Sequence, residues 1–195
     1  MSFTIQLLLP SIAEQRPRSS SPARADLDDF VDDNPALPLF LFEACAIFAA
    51  VGVRLEINGL FADPLPVSTD TELVYFLEHL PGMLRFLEEA SPGAYRLGLW
   101  GEGVETEFIF RKSEKGDLIE VRHDSRIKRR MTTDSEELRC CELVGQLTTF
   151  VETYHEALRR YAPGLVREPW NQELFAIAER LGTQPGNVSE GRPLA

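Results

Sequence analysis

Two carboxylates two residues apart, Glu105 and Glu107, follow a third, Glu102, in the stretch Trp100-Gly101-Glu102-Gly103-Val104-Glu105-Thr106-Glu107. Side chains of this kind could serve two chemistries. Acids facing each other about 5 to 9 Å apart across a cleft can hydrolyse a glycosidic bond. Glycine-rich backbone that runs into a helix N-terminus can cradle a phosphate with its amides. The phosphate reading fails on its own terms, because a strand follows these glycines and Glu102 would repel an anion. The carboxylate pair is permitted by spacing, since residues two apart share one face of a strand. Acids alternating along a solvated strand give the same pattern without any chemistry. A hydrolase-like enzyme using Glu105, Glu107 or His123 in a cleft is therefore the alternative reading.

The other reactive side chains offer less. His79, His123 and His155 lie far apart, and no second histidine stands at ligand spacing, so no metal site is assigned. Cys45 sits in an apolar run, and Cys140 and Cys141 are adjacent rather than in a CxxC pair. Zinc binding and dithiol chemistry are thus unsupported, as is any disulfide framework. No Gly-x-Ser-x-Gly elbow supplies a nucleophile. No catalytic residue and no cofactor are assigned.

The elements that would position these residues follow from periodicity. If Gly101 to Val104 make a turn, Leu99 faces Thr106, Leu97 faces Phe108 and Tyr95 faces Phe110. If Ser113 to Gly116 make the next turn, Phe110 faces Ile119, Phe108 faces Val121, Glu107 faces Arg122 and Ile109 faces Glu120. A three-stranded meander over 94–123 results, with Tyr95, Leu97, Leu99, Phe108, Phe110, Ile119 and Val121 on a buried face. A one-residue slip would turn every one of them outward. The opposite face carries Arg96, Trp100, Glu105, Glu107, Ile109, Arg111, Leu118, Glu120 and Arg122. Trp and Arg are the residue types that anchor protein interfaces, which makes this the candidate partner-binding surface.

Residues 3–9 read as a first strand, and 39–48 and 53–57 as two more, with Asn58-Gly59 suited to a hairpin turn. Leu73, Phe76, Leu77, Leu80, Leu84 and Leu87 form a helical stripe within about 70–90, capped by Thr69 or Asp70 and kinked or split at Pro81-Gly82. A long helix over about 134–161 begins at a Thr133 or Asp134 cap, with Glu136 and Glu137 in its first turn. A shorter helix spans about 170–181. The fold class expected is α+β: an antiparallel sheet of about five to six strands with helices packed mainly on one face. One domain over 1–182 is expected, with an acidic and Pro/Ser-rich loop at about 13–35 that stays mobile and a flexible tail at 183–195.

A 44% hydrophobic content with twelve Phe in 195 residues is enough for a core, so wholesale disorder is excluded. The net charge of −11 disfavours a general nucleic-acid binder and adsorption to an anionic membrane. Eight bases against four acids between Arg111 and Arg130 form the one positive stretch, which lacks the aromatics that stack on nucleic-acid bases. The apolar run from Leu37 to Val53 is short of the roughly twenty residues that span a bilayer. No signal-peptide pattern opens the chain, and three cysteines suit a reducing cytoplasm. These features together point to a non-catalytic cytoplasmic binding module, an antidote-like, immunity-like or adaptor protein whose acidic surface engages a basic protein partner. A homodimer formed through a helix is a further expectation to test.

Overall fold

The computed structural model describes residues 2–11, 38–61, 65, 67–100, 105–125 and 133–183. The loop at about 13–35 and the tail at 184–195 lie outside the described residues.

Two antiparallel sheets and four helices make up an α+β architecture. Strands β1 (Thr4–Leu8) and β2 (Arg54–Asn58) form one pair, with Ile5 opposite Ile57 and Leu7 opposite Leu55. Strands β3 (Gly93–Leu99), β4 (Thr106–Lys112), β5 (Leu118–Ser125) and β6 (Ser135–Arg139) form the second sheet in that order. The helices are α1 (Leu39–Val51), α2 (Glu72–Glu88), α3 (Cys140–Tyr161) and α4 (Pro169–Gly182), with a 3₁₀ turn at Pro163–Arg167 between the last two.

One apolar core joins the layers. Phe3 of the small sheet meets Phe108 and Phe110 of the large one, with ring centroids 5.7 and 5.9 Å apart. Leu97, Leu99, Phe108, Phe110, Ile119 and Val121 are buried, while Tyr95 is half-buried at the sheet edge beside α2. Burying side chains of this size contributes about 1.5–3 kcal/mol each, which is what holds this face inward.

Four expectations are corrected. Residues 39–48 form helix α1 rather than a strand. Leu41, Ala44, Cys45 and Phe48 are buried at three- and four-residue spacing, but the other faces carry Leu39, Phe40, Phe42, Ile47 and several alanines. With apolar residues all round, the helical period is masked, and a short buried strand looks the same. The partner of β2 is accordingly the distant β1, not a return strand after Asn58-Gly59. Gly59, at φ 119°, instead brings its backbone against Phe3, where a Cβ would collide with the Phe3 main chain.

The helix expected from about 134 begins at Cys140, because Ser135–Arg139 pair with β5 as an edge strand. Glu136 and Glu137 therefore belong to a strand, and pairing with the open edge of β5 overrides the helical preference of Glu-Glu-Leu. Finally, of the kink or split expected at Pro81-Gly82 the split does not occur, since α2 continues to Glu88 through Pro81. Gly82 follows it and leaves room for the Tyr95 ring, whose hydroxyl donates to the His79 carbonyl at 2.7 Å.

Candidate protein-docking face

The alternation of β3 to β6 sets the geometry of the large sheet's outer face. Between β3 and β4 the register is the expected one: Leu99 opposite Thr106, Leu97 opposite Phe108, Tyr95 opposite Phe110. Between β4 and β5 it is displaced by two residues, with Phe110 opposite Val121, Phe108 opposite His123 and Lys112 opposite Ile119. A two-residue displacement preserves which face each side chain occupies and changes only its neighbours. Ile109 thus stands opposite Arg122, and Arg111 opposite Glu120 with 3.5 Å between the charged groups. Glu107 stands opposite Asp124 and is neutralised by an ion pair with Arg96 on β3. The pairing of Glu107 with Arg122 and of Ile109 with Glu120 does not form.

Alternation along β4 turns Lys112 inward with Phe108 and Phe110, where this cation is 4% exposed. Its ammonium donates to the carbonyls of Phe86 at 2.7 Å, Leu87 at 3.3 Å and Glu89. These are the acceptors that the end of α2 leaves unpaired, at the negative pole of its dipole. Burial pushes the Lys112 pKa down, opposed by the Glu89 carboxylate. The buried lysine therefore fastens the end of α2 to the inner face of the sheet.

On that outer face Trp100 is 48% exposed and Leu118 36% exposed. Arg96, Arg111 and Arg122 are exposed, and Glu107, Ile109 and Glu120, nearer the middle, are half-buried among their neighbours. The fourth strand adds Glu137 and Arg139, which the helical reading of 134–139 had hidden. Glu105 is exposed but stands just before β4 with φ 34°, so the strand alternation that grouped it with Glu107 does not reach it. Thr106 is fully buried and shares a 2.5 Å hydrogen bond with His123 Nε2.

Trp100 owes its position to a residue that motif reading passed over. Gly98 lies on the same face two residues earlier, and the indole folds back onto it. A Cβ at 98 would stand well inside van der Waals contact with the indole Nε1 and Cε2. The sequence signal was present as Gly-x-Trp within one strand, where glycine marks a close approach. In a Trp170→Phe background, Gly98→Val is expected to push the indole into water. Trp100 fluorescence should then shift to longer wavelength while far-UV circular dichroism stays unchanged. An unshifted spectrum would mean the indole does not rest on Gly98.

Among the described residues the three histidines sit in three separate surroundings. The groove between β1 and α3 and that between α3 and α4 are lined by neither Glu105 nor Glu107. His79 is half-buried with Nδ1 3.2 Å from the Tyr95 hydroxyl; burial lowers its pKa, and the Glu107 carboxylate opposes that shift. His123 meets the Phe61 ring edge-on at 4.5 Å, and His155 stacks on Phe175 at 4.2 Å. Cys45 is buried, which raises its thiol pKa, while Cys140 and Cys141 are half-buried; all three are free thiols. Among the described residues no His, Cys, Asp and Glu cluster could hold a metal, and no helix is long and apolar enough to cross a membrane.

No known family model, curated protein or solved structure matches this chain.

Proposed function

We propose that this chain is a non-catalytic cytoplasmic protein-binding module that docks a basic protein partner on the outer face of its four-stranded sheet, in the manner of an antidote or adaptor protein. The observation that carries the reading is the half-exposed indole of Trp100, seated on Gly98 at one end of an outer face that also carries Ile109 on β4 and, toward the other end, Leu118 on β5, a face that none of the described helices covers. An aromatic anchor on a face that also carries apolar side chains and arginines has the composition of an interface. Positive and negative groups alternate across the face, as in the Arg96–Glu107 and Arg111–Glu120 pairs, and can set the register of a partner. The net charge of −11 supplies the longer-range attraction for a basic surface.

The test is affinity for the natural partner, captured with the native chain and then purified. Trp100→Ala combined with Glu107→Lys is expected to weaken binding by about 100-fold or more, with the unfolding midpoint little changed. Unchanged binding by that double variant would remove the outer face as the docking site.

A further inference from the structure

The edge of β1 that faces α3 offers a second, chemically different site. In the β1–β2 ladder the residues Thr4, Gln6 and Leu8 turn their amides and carbonyls toward β2, so those of Phe3, Ile5 and Leu7 point the other way, toward α3. Side chains satisfy the first part of that edge. The Phe3 amide donates to Glu136 Oε1 at 2.9 Å. The Gln146 carboxamide then bridges the next two groups: it accepts from the Ile5 amide at 3.1 Å and donates to the Phe3 carbonyl at 3.1 Å. One primary amide thus pairs with β1 as a neighbouring strand's peptide group would.

One helical turn further along α3 the pattern stops. Thr149 and Thr153 succeed Gln146 on the same face but form no hydrogen bond to the described residues of β1, and the Thr153 hydroxyl is turned back to the Thr149 carbonyl at 2.9 Å. Among the described residues no hydrogen bond engages the outward amide of Leu7 or the outward carbonyls of Ile5 and Leu7. A groove of about 390 Å³ lies against them, lined by Ile5, Leu7, Gly145, Gln146, Thr149 and Thr153. It contains no charged residue, in a chain whose net charge is −11.

We infer that this groove binds a short, uncharged, extended peptide segment of a partner protein, whose backbone amides continue along β1 the pairing that the Gln146 carboxamide begins. Recognition is through the main chain: the Leu7 amide gives to a ligand carbonyl, and the Ile5 and Leu7 carbonyls accept from ligand amides, as in strand addition to a sheet edge. The uncharged lining disfavours a ligand that would bring a charge into the slot without a counter-charge. The site stands apart from the outer sheet face and does not depend on it.

The probe is N-acetyl-Val-Thr-Val-methylamide, titrated to millimolar concentration into the isotopically labelled full chain and followed by amide NMR. The expected result is a progressive shift of the Leu7 amide, with smaller shifts at Gly145 and Thr149, and exchange of the Leu7 amide slowed about fivefold. The same peptide with its amides N-methylated should leave Leu7 unmoved. A Gly145→Leu variant should abolish the shift by filling the groove, since a Cβ at 145 has open space around it and the helix tolerates it. An unmoved Leu7 amide at saturating peptide, or an equal shift from the N-methylated peptide, would overturn the inference.

Discussion

Asn171→Leu is expected to destabilise the protein by roughly 2–4 kcal/mol, because it leaves the buried Tyr154 hydroxyl without its acceptor and takes from the Leu165 carbonyl one of its two donors, the Glu168 amide remaining. Asn171 is fully buried at the start of α4, where its Oδ1 accepts from the Tyr154 hydroxyl at 2.9 Å and its Nδ2 donates to the Leu165 carbonyl at 2.7 Å. One side chain thus ties α3, the 3₁₀ turn and α4 together inside the core. Burial raises the Tyr154 phenol pKa far above its usual range, so the hydroxyl stays a donor at any working pH. Tyr154→Phe removes only one partner and should cost less, about 1–2 kcal/mol. The double variant leaves only the Leu165 carbonyl without its side-chain donor, so its cost should fall well short of the sum of the two. Urea unfolding measures all three as shifts in midpoint at constant slope. Strict additivity would show that the two side chains are not coupled.

Lys112→Met should be nearly as damaging, at roughly 2–4 kcal/mol. The thioether fills much of the space the alkyl stem occupies but cannot donate to the Phe86, Leu87 and Glu89 carbonyls. The ammonium also lies 4.8 Å from the centre of the Phe86 ring, a cation–π contact that methionine loses. The end of α2 should fray first, so hydrogen exchange at residues 84–89 should accelerate more than in the core of α3. Equal acceleration in both helices would mean that Lys112 supports the fold globally rather than fastening α2.

These two positions mark the limit of what the chain reveals in one dimension. The faces of β3, β4 and β5 were legible because alternation in strands has a period of two, and burying Leu97, Phe108 and Val121 together admits only one phase. The register between β4 and β5 was not legible, since a two-residue displacement keeps every face and only the turn geometry decides it. The turn is one residue later than expected: the Ser113 amide bonds to the Leu118 carbonyl, and Gly116 holds φ 74°. That shift sets Ile119 as the neighbour of Lys112, whose inward position, where α2 needs a donor, follows from alternation along β4.

Helix α1 was illegible for the opposite reason, having apolar residues on nearly every face. Strand β6 was hidden because Ser-Glu-Glu-Leu-Arg reads as a helix start until β5 is known to lack a partner. Of the outer sheet face, Trp100, Glu107, Ile109, Arg111, Leu118, Glu120 and Arg122 could be grouped from spacing alone. Gly98 under the indole, and Glu137 and Arg139 on the fourth strand, required the pairing of distant segments.

The central claim is that the outer sheet face is where a partner docks, and Trp100 is its most informative reporter. Hydroxyl-radical footprinting of the native complex, compared with the isolated chain, measures its accessibility directly. Protection of Trp100 and Leu118 in the complex, with Trp170 on α4 oxidised equally in both, is the predicted result. Undiminished oxidation of Trp100 in a fully formed complex would contradict it.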